Sequence, residues 1–148
     1  MANDIDCDVL IVEDEILQSQ EMAAFLGRAG LSIQTAHSGS SALRQAAMHR
    51  PRIALLDYNL PDTTGVKLAQ QLRALFPDLA IIMMSGRIDG LSEQTLKSIG
   101  ISVFLNKPLP LGALRQAVVK LARSLPVHHE PQAQRTGWLS AGFGGTRT

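Results

Sequence analysis

Residues 53–65 read IALLDYNLPDTTG, in which four apolar residues, Ile53 to Leu56, run straight into the carboxylate of Asp57 before the chain turns. Burying a carboxylate costs free energy unless it is paired or ligates a metal. Asp57 therefore needs partners from elsewhere in the chain. Candidates stand at the ends of other apolar runs: Glu13 and Asp14 after VLIV (9–12), Ser85 after LAIIMM (79–84), and Asn106 and Lys107, followed by Pro108, after ISVFL (101–105). The run LSIQTA (31–36) ends in Ala36 and His37 and adds nothing to this set.

Each of these residues alone is commonplace, since an aspartate after a strand often caps a helix and a lysine before proline often marks a turn. Together they form a set of three carboxylates, one hydroxyl and one ammonium. Two like charges about 4 Å apart repel by about 4 kcal/mol at an effective dielectric of 20, so one lysine does not neutralise three carboxylates. A hard divalent cation that prefers oxygen ligands and keeps several waters, Mg²⁺, completes the balance. Such a site suits phosphoryl transfer: cation and ammonium offset charge on the phosphoryl oxygens, the hydroxyl donates a hydrogen bond, and a carboxylate acts as nucleophile. Asp57 is the candidate nucleophile, with Lys107 and Ser85 beside it.

These residues can meet only if the elements that carry them are adjacent, and apolar runs alternate with helical patterns along the chain. VLIV is followed by Met22, Phe25, Leu26 and Ala29 at helical spacing, closed by Gly30. After LSIQTA, the serines of SGSSALRQAAMHR suit an N-cap, with Ala42, Leu43, Ala46 and Ala47 along one face until Pro51. A helix with Leu68, Leu72 and Leu75 on one side ends at Pro77, and a weaker one spans Asp89 to Ile99 with Leu91 and Leu96, stopping at Gly100. Leu111, Leu114, Val118, Leu121 and Leu125 mark the last helix. Five strands alternating with five helices predict an α/β doubly wound domain with a parallel sheet, because each parallel crossover needs a helix and is right-handed. Sites in such sheets lie beyond the carboxyl ends of the strands, where strand order reverses.

The 148-residue length fits one ordinary domain, and 45% hydrophobic with 18% charged residues is a globular composition. A net charge of +1, without a basic block, argues against nucleic-acid binding. The lone Cys7 cannot form an internal disulfide and reads as a small reduced residue at the first strand. The acidic start MANDIDCD is unlike a signal peptide and no apolar run reaches membrane-spanning length, so no membrane association and a cytoplasmic location are expected. Residues 126–148, rich in Gly, Pro, Gln and Thr, read as a flexible C-terminal tail. Within it, His128 and His129 read as solvated, and Trp138, Leu139 and Phe143 as parts of an unstructured end.

Over residues 8 to 125 the sequence resembles a response-regulator receiver domain, the phosphoacceptor of two-component signalling. The resemblance rests on Glu13-Asp14, LLDYNLPDTTG, Ser85-Gly86 and Lys107-Pro108, each after the appropriate strand. It implies a flavodoxin-like sheet in the order 2-1-3-4-5 and a receiver domain over 1–125. It also implies that Asp57 accepts a phosphoryl group from a sensor histidine kinase or phosphotransfer protein. Asp14, Asp57 and the backbone carbonyl of Asn59 would hold Mg²⁺, with Glu13 helping through a water. Lys107 would pair with the phosphoryl group and Ser85 would hydrogen-bond it. Phe104 occupies the place of an aromatic whose rotamer follows that hydroxyl, although a plain strand residue fits there equally. Pro108 would follow a cis bond to Lys107, a geometry rare outside X-Pro pairs. Asn59 and Arg87 would tune hydrolysis.

The family often has a second aspartate where Glu13 stands. Many relatives also continue into an output domain, whereas this sequence reads as a stand-alone receiver. It would signal through a phosphorylation-dependent contact of its last helices and fifth strand with a downstream protein, and a dimer formed on phosphorylation is compatible with the resemblance. Two alternatives carry different expectations. A phosphorylation-independent scaffold of the same fold would have no need of the full acceptor set. An Asp-nucleophile phosphohydrolase would need a general acid where Asn59 stands.

Overall fold

A computed structural model describes residues 7–86 and 92–125. The elements are β1 (Cys7–Val12), α1 (Ile16–Gly27), β2 (Ile33–Ala36), α2 (Gly39–His49), β3 (Pro51–Asp57), α3 (Gly65–Leu75), β4 (Ala80–Ser85), α4 (Glu93–Ile99), β5 (Ile101–Asn106) and α5 (Leu111–Ser124). All strand pairs are parallel, in the order β2-β1-β3-β4-β5. The doubly wound sheet with five helices is thus the predicted one.

The alternation of side chains along each strand divides the core in two. Val9, Ile11, Ile53, Leu55, Ile82 and Met84 pack on Met22 and Leu26 of α1 and Leu114 and Val118 of α5. Their neighbours Leu10, Val12, Ala54, Leu56, Ile81 and Met83 pack on α2, α3 and α4 through Ala42, Ala46, Leu68, Leu72 and Leu96. Coverage on both faces is why the β3 run is apolar throughout rather than alternating. It also means that β1 hands the chain to one face of the sheet and β3 to the other. The crevice where strand order reverses lies between these two strands.

Several boundaries differ from the sequence reading, each for a local reason. β1 begins at Cys7 rather than Val9 because Cys7 already pairs with Pro51 of β3, while Asp8 and Ser32 lock together on the other side: the Asp8 amide donates to Ser32 Oγ (2.9 Å) and the Ser32 amide to Asp8 Oδ2 (2.9 Å). The same pairing occupies Ser32, so β2 starts at Ile33 instead of Leu31. Before Pro51 the helical conformation is disfavoured, and α2 ends in a left-handed Arg50 (φ 46°). Leu75, expected on the buried side of α3, is 62% exposed, and Ala47 of α2 is likewise exposed, since each lies at the edge of its apolar stripe near the helix end. The described part of the fourth helix starts after Ser92, whose side chain accepts from the Thr95 amide. Asp89 and Leu91 lie outside the described residues, as do Arg87 and the proposed tail with His128, His129, Trp138, Leu139 and Phe143.

The far end of the sheet is fastened by Arg52 near the start of β3. Its guanidinium donates to the carbonyls of Ala122 (2.7 Å) and Leu125 (3.3 Å) at the end of α5, and pairs with Asp8 Oδ1 (3.4 Å). Terminal helix carbonyls lack partners within the helix, and a charged donor there satisfies them. Arg52→Ala is expected to lower unfolding free energy by about 1–3 kcal/mol, as for loss of hydrogen bonds from a charged group. Urea denaturation followed by circular dichroism measures this.

Candidate functional site

At the carboxyl ends of the strands, β1 delivers Glu13 and Asp14 into the link to α1. The Glu13 amide donates to the Ala36 carbonyl of β2 (3.0 Å), and its own carbonyl accepts from Nδ1 of His37 (2.9 Å). The Glu13 side chain is fully buried, whereas Asp14 is exposed. Glu13 Oε2 accepts from the Glu15 amide (3.1 Å) and Oε1 from Lys107 Nζ (2.7 Å).

Asp57 is the last residue of β3, flanked by β1 and β4 and only 7% exposed. The chain leaves it through a closed turn in which the Gly65 amide donates to the Tyr58 carbonyl (2.6 Å) and the Leu60 amide to the Thr63 carbonyl (3.2 Å). Gly65 is required by space: a Cβ there would lie 2.5 Å from the Asp57 carbonyl and 2.8 Å from Met83 Sδ. Asn59 is exposed on this turn, in an antiparallel bridge with Thr64.

Lys107 reaches the cluster from beyond β5. Its amide donates to the Ser85 carbonyl (2.9 Å), and its ammonium lies 3.4 Å from Asp57 Oδ2. Ser85 ends β4 and is buried. Phe104, half-buried in β5, pairs with Met83 and packs on the face that carries α4. The Lys107–Pro108 peptide is cis.

Glu13, Asp14 and Asp57 thus converge, each offering a carboxylate oxygen within 4.8 Å of the others. Burial first, and the charge of Glu13 second, raise the Asp57 pKa from 3.8 to about 6, although Lys107 acts in the opposite direction. Burial disfavours the charged form of Lys107 too. Its hydrogen bond to Glu13 and the two carboxylate charges outweigh that effect and hold its pKa above the ordinary value. The carboxylates therefore remain under-neutralised, and a set of oxygen donors with excess negative charge fits a hard divalent cation.

Two participants were missed by sequence reasoning. His37, set aside with the end of β2, bonds to the carbonyl of Glu13. Asp62, beyond Asp57, accepts from the amides of Gly39 (2.8 Å) and Ser40 (3.0 Å) at the start of α2. The available signals were weak: a polar residue directly after a strand, and an aspartate in a turn facing a Ser-Gly-Ser helix start.

The response regulator receiver domain family matches residues 9–119, and the chain belongs to that family. Response regulator MprA of Mycobacterium avium is 31% identical over 116 residues, covering 78% of this chain and 50% of the relative. Sensor histidine kinase RcsC of Salmonella typhi is 30% identical over 117 residues, covering 79% of this chain and 12% of that protein. The chain therefore spans half or less of the length of these two relatives. Among solved structures, the CheY-like receiver domain protein from Methanospirillum hungatei superposes with a TM-score of 0.76 at 21% identity, covering 80% of this chain and 95% of that one. Chemotaxis protein CheY4 of Vibrio cholerae gives 0.72 at 26% identity, covering 78% and 98%. No helix among the described residues is long and apolar enough to cross a membrane.

The raised Asp57 pKa has a sign that can be tested in the metal-free protein. Between pH 4 and 6 the folded state binds more protons than the unfolded one, so this group's contribution to stability falls as pH rises through that window. Asp57→Asn is expected to stabilise the protein in chelator at pH 7.5 by about 1–3 kcal/mol, with a clearly smaller gain at pH 4.5 that disappears only below the ordinary carboxylate pKa. Lys107→Met, which leaves two buried carboxylates facing each other, is expected to cost about 3–5 kcal/mol at pH 7.5. Thermal melts at the two pH values measure both.

Proposed function

We propose that this chain is a Mg²⁺-dependent phosphoacceptor that takes a phosphoryl group on Asp57 and changes a protein contact in response. The observation that carries the reading is the convergence of Asp57, Glu13, Asp14 and Lys107 at one edge of the sheet. Glu13, Asp14 and Asp57, with the Asn59 carbonyl, are the groups that would hold the cation, which when bound supplies positive charge to the phosphoryl oxygens.

An oxygen of the Asp57 carboxylate attacks phosphorus, forming a P–O bond as the P–N bond of a donor phosphohistidine breaks and the departing imidazole takes up a proton. Lys107 offsets charge on the transferred group. Ser85, on the strand beside β3, donates a hydrogen bond to it, and the packing of Phe104 follows the movement of that strand end. Attack by water on the acyl phosphate later returns the carboxylate and inorganic phosphate. The chain is on this reading a signalling phosphoacceptor rather than a metabolic enzyme.

Two surface features support a protein donor. Ile16 (55% exposed) and Leu17 (81% exposed) open α1 beside Asp14. A hollow of about 410 Å³ bounded by Met22, Lys107, Pro108 and Leu111 lies along the same helix. A sensor kinase or phosphotransfer protein can seat apolar side chains there and bring its histidine to Asp57. The downstream contact is assigned to β5 and the last helices, next to Phe104 and Lys107.

Incubation with acetyl phosphate and Mg²⁺ should add one phosphoryl group, read by intact-protein mass spectrometry. Chelator should abolish the addition and Asp57→Asn should show none. Uptake by that variant equal to the parent would refute the assignment.

A further inference from the structure

The turn between β2 and α2 touches both loops that carry the acidic residues. On one side, Nδ1 of His37 donates to the Glu13 carbonyl in the β1–α1 link (2.9 Å). On the other, the amides of Gly39 and Ser40 donate to Oδ1 and Oδ2 of Asp62 in the β3–α3 turn (2.8 and 3.0 Å). These bonds draw the Asp62 pKa below the ordinary carboxylate range, with the Gly39 amide the larger cause.

The contact is sterically matched as well as hydrogen-bonded. A Cβ on Gly39 would lie 2.5 Å from Thr63 Cγ2 and 3.3 Å from Asp62 Oδ1, so any side chain at position 39 would have to push the Thr63 methyl and the Asp62 carboxylate away. The start of α2 is fully used: Ser38 Oγ accepts from the Ser41 amide (3.1 Å), Asp62 takes the two amides before it, and the Ala42 amide donates to the Ser38 carbonyl (3.0 Å).

We infer that the β2–α2 turn is a positioning clasp, in which His37 and Asp62 hold the β1–α1 and β3–α3 loops at a fixed separation and so preset the spacing of the metal-binding oxygens. The inference rests on the reading of the site given above and adds residues that touch neither phosphoryl group nor cation. Its physical basis is topological. β1 and β3 send the chain to opposite faces of the sheet, and the register that joins them ends at the Val12–Leu56 pair, short of both loops, so a link between the loops has to come from another element. The turn from β2 supplies that link. Within the β3–α3 turn, the Leu60–Thr63 and Tyr58–Gly65 bonds make residues 58–65 one closed unit. Fixing Asp62 therefore fixes Asn59 relative to Asp57.

Calorimetric Mg²⁺ titration and amide hydrogen exchange on the whole chain test this. Asp62→Ala is expected to raise the Mg²⁺ dissociation constant about tenfold, the low end of the losses seen when groups supporting metal ligands are removed. It should also speed exchange at Leu60 and Gly65. Asp62→Asn, which keeps one acceptor oxygen, should recover part of both effects. Gly39→Ala should reproduce them without altering a polar group. His37→Ala should weaken Mg²⁺ binding, and His37→Gln, which retains an N–H donor, should restore it. Variants that melt at lower temperature yet bind Mg²⁺ like the parent, with unchanged exchange at Leu60 and Gly65, would show a merely structural turn and overturn the clasp. If the parent itself binds no Mg²⁺, the phosphoacceptor reading fails, while the exchange rates still decide whether the turn holds the loops.

Discussion

One ammonium holds two buried carboxylates together at the edge of this sheet. Lys107 approaches Glu13 more closely than Asp57, 2.7 against 3.4 Å, so Glu13 is the better satisfied of the two. Asp57 is left with burial and a neighbouring anion against it, and its raised proton affinity follows. Every other feature of the site depends on this imbalance. A fully neutralised pair would have little attraction for a cation or for the electropositive phosphorus of a donor. A pair without Lys107 would be too costly to bury.

The sheet sets where that imbalance can sit. Side chains held by β3 are covered on both faces, so Asp57 is presented rigidly at the strand end while Glu13 and Asp14 come from the link that follows β1. Rigid strands with adjustable loops are a common division of labour in α/β sites. Here the adjustability is restricted, because the Lys107 amide is tied to the Ser85 carbonyl and the acceptor turn is closed on itself. The bond ties the backbone that carries the ammonium to the strand end that carries the hydroxyl.

The strands and the main site residues were legible in the sequence because each depends on local pattern: an apolar run of strand length, then a polar residue. Glu13, Asp57, Ser85 and Lys107 all have that form. Legibility failed where a residue acts through backbone atoms of a distant segment. His37 meets a carbonyl 24 positions away, and Asp62 meets amides 22 and 23 positions away. No periodicity encodes such bonds, and a histidine or aspartate in a turn has many unremarkable uses. The equal treatment of the three carboxylates failed for another reason: composition reports charge but not depth, and Glu13 is buried while its neighbour Asp14 is exposed.

Arg52 fastens the last turn of α5 to the beginning of β3, at the rim opposite Asp57. The fourteen residues of α5 make a rod about 21 Å long, whose near end follows directly from the Lys107–Pro110 segment. The two ends of β3 thus have separate tasks: its start anchors the far end of α5, and its finish presents Asp57.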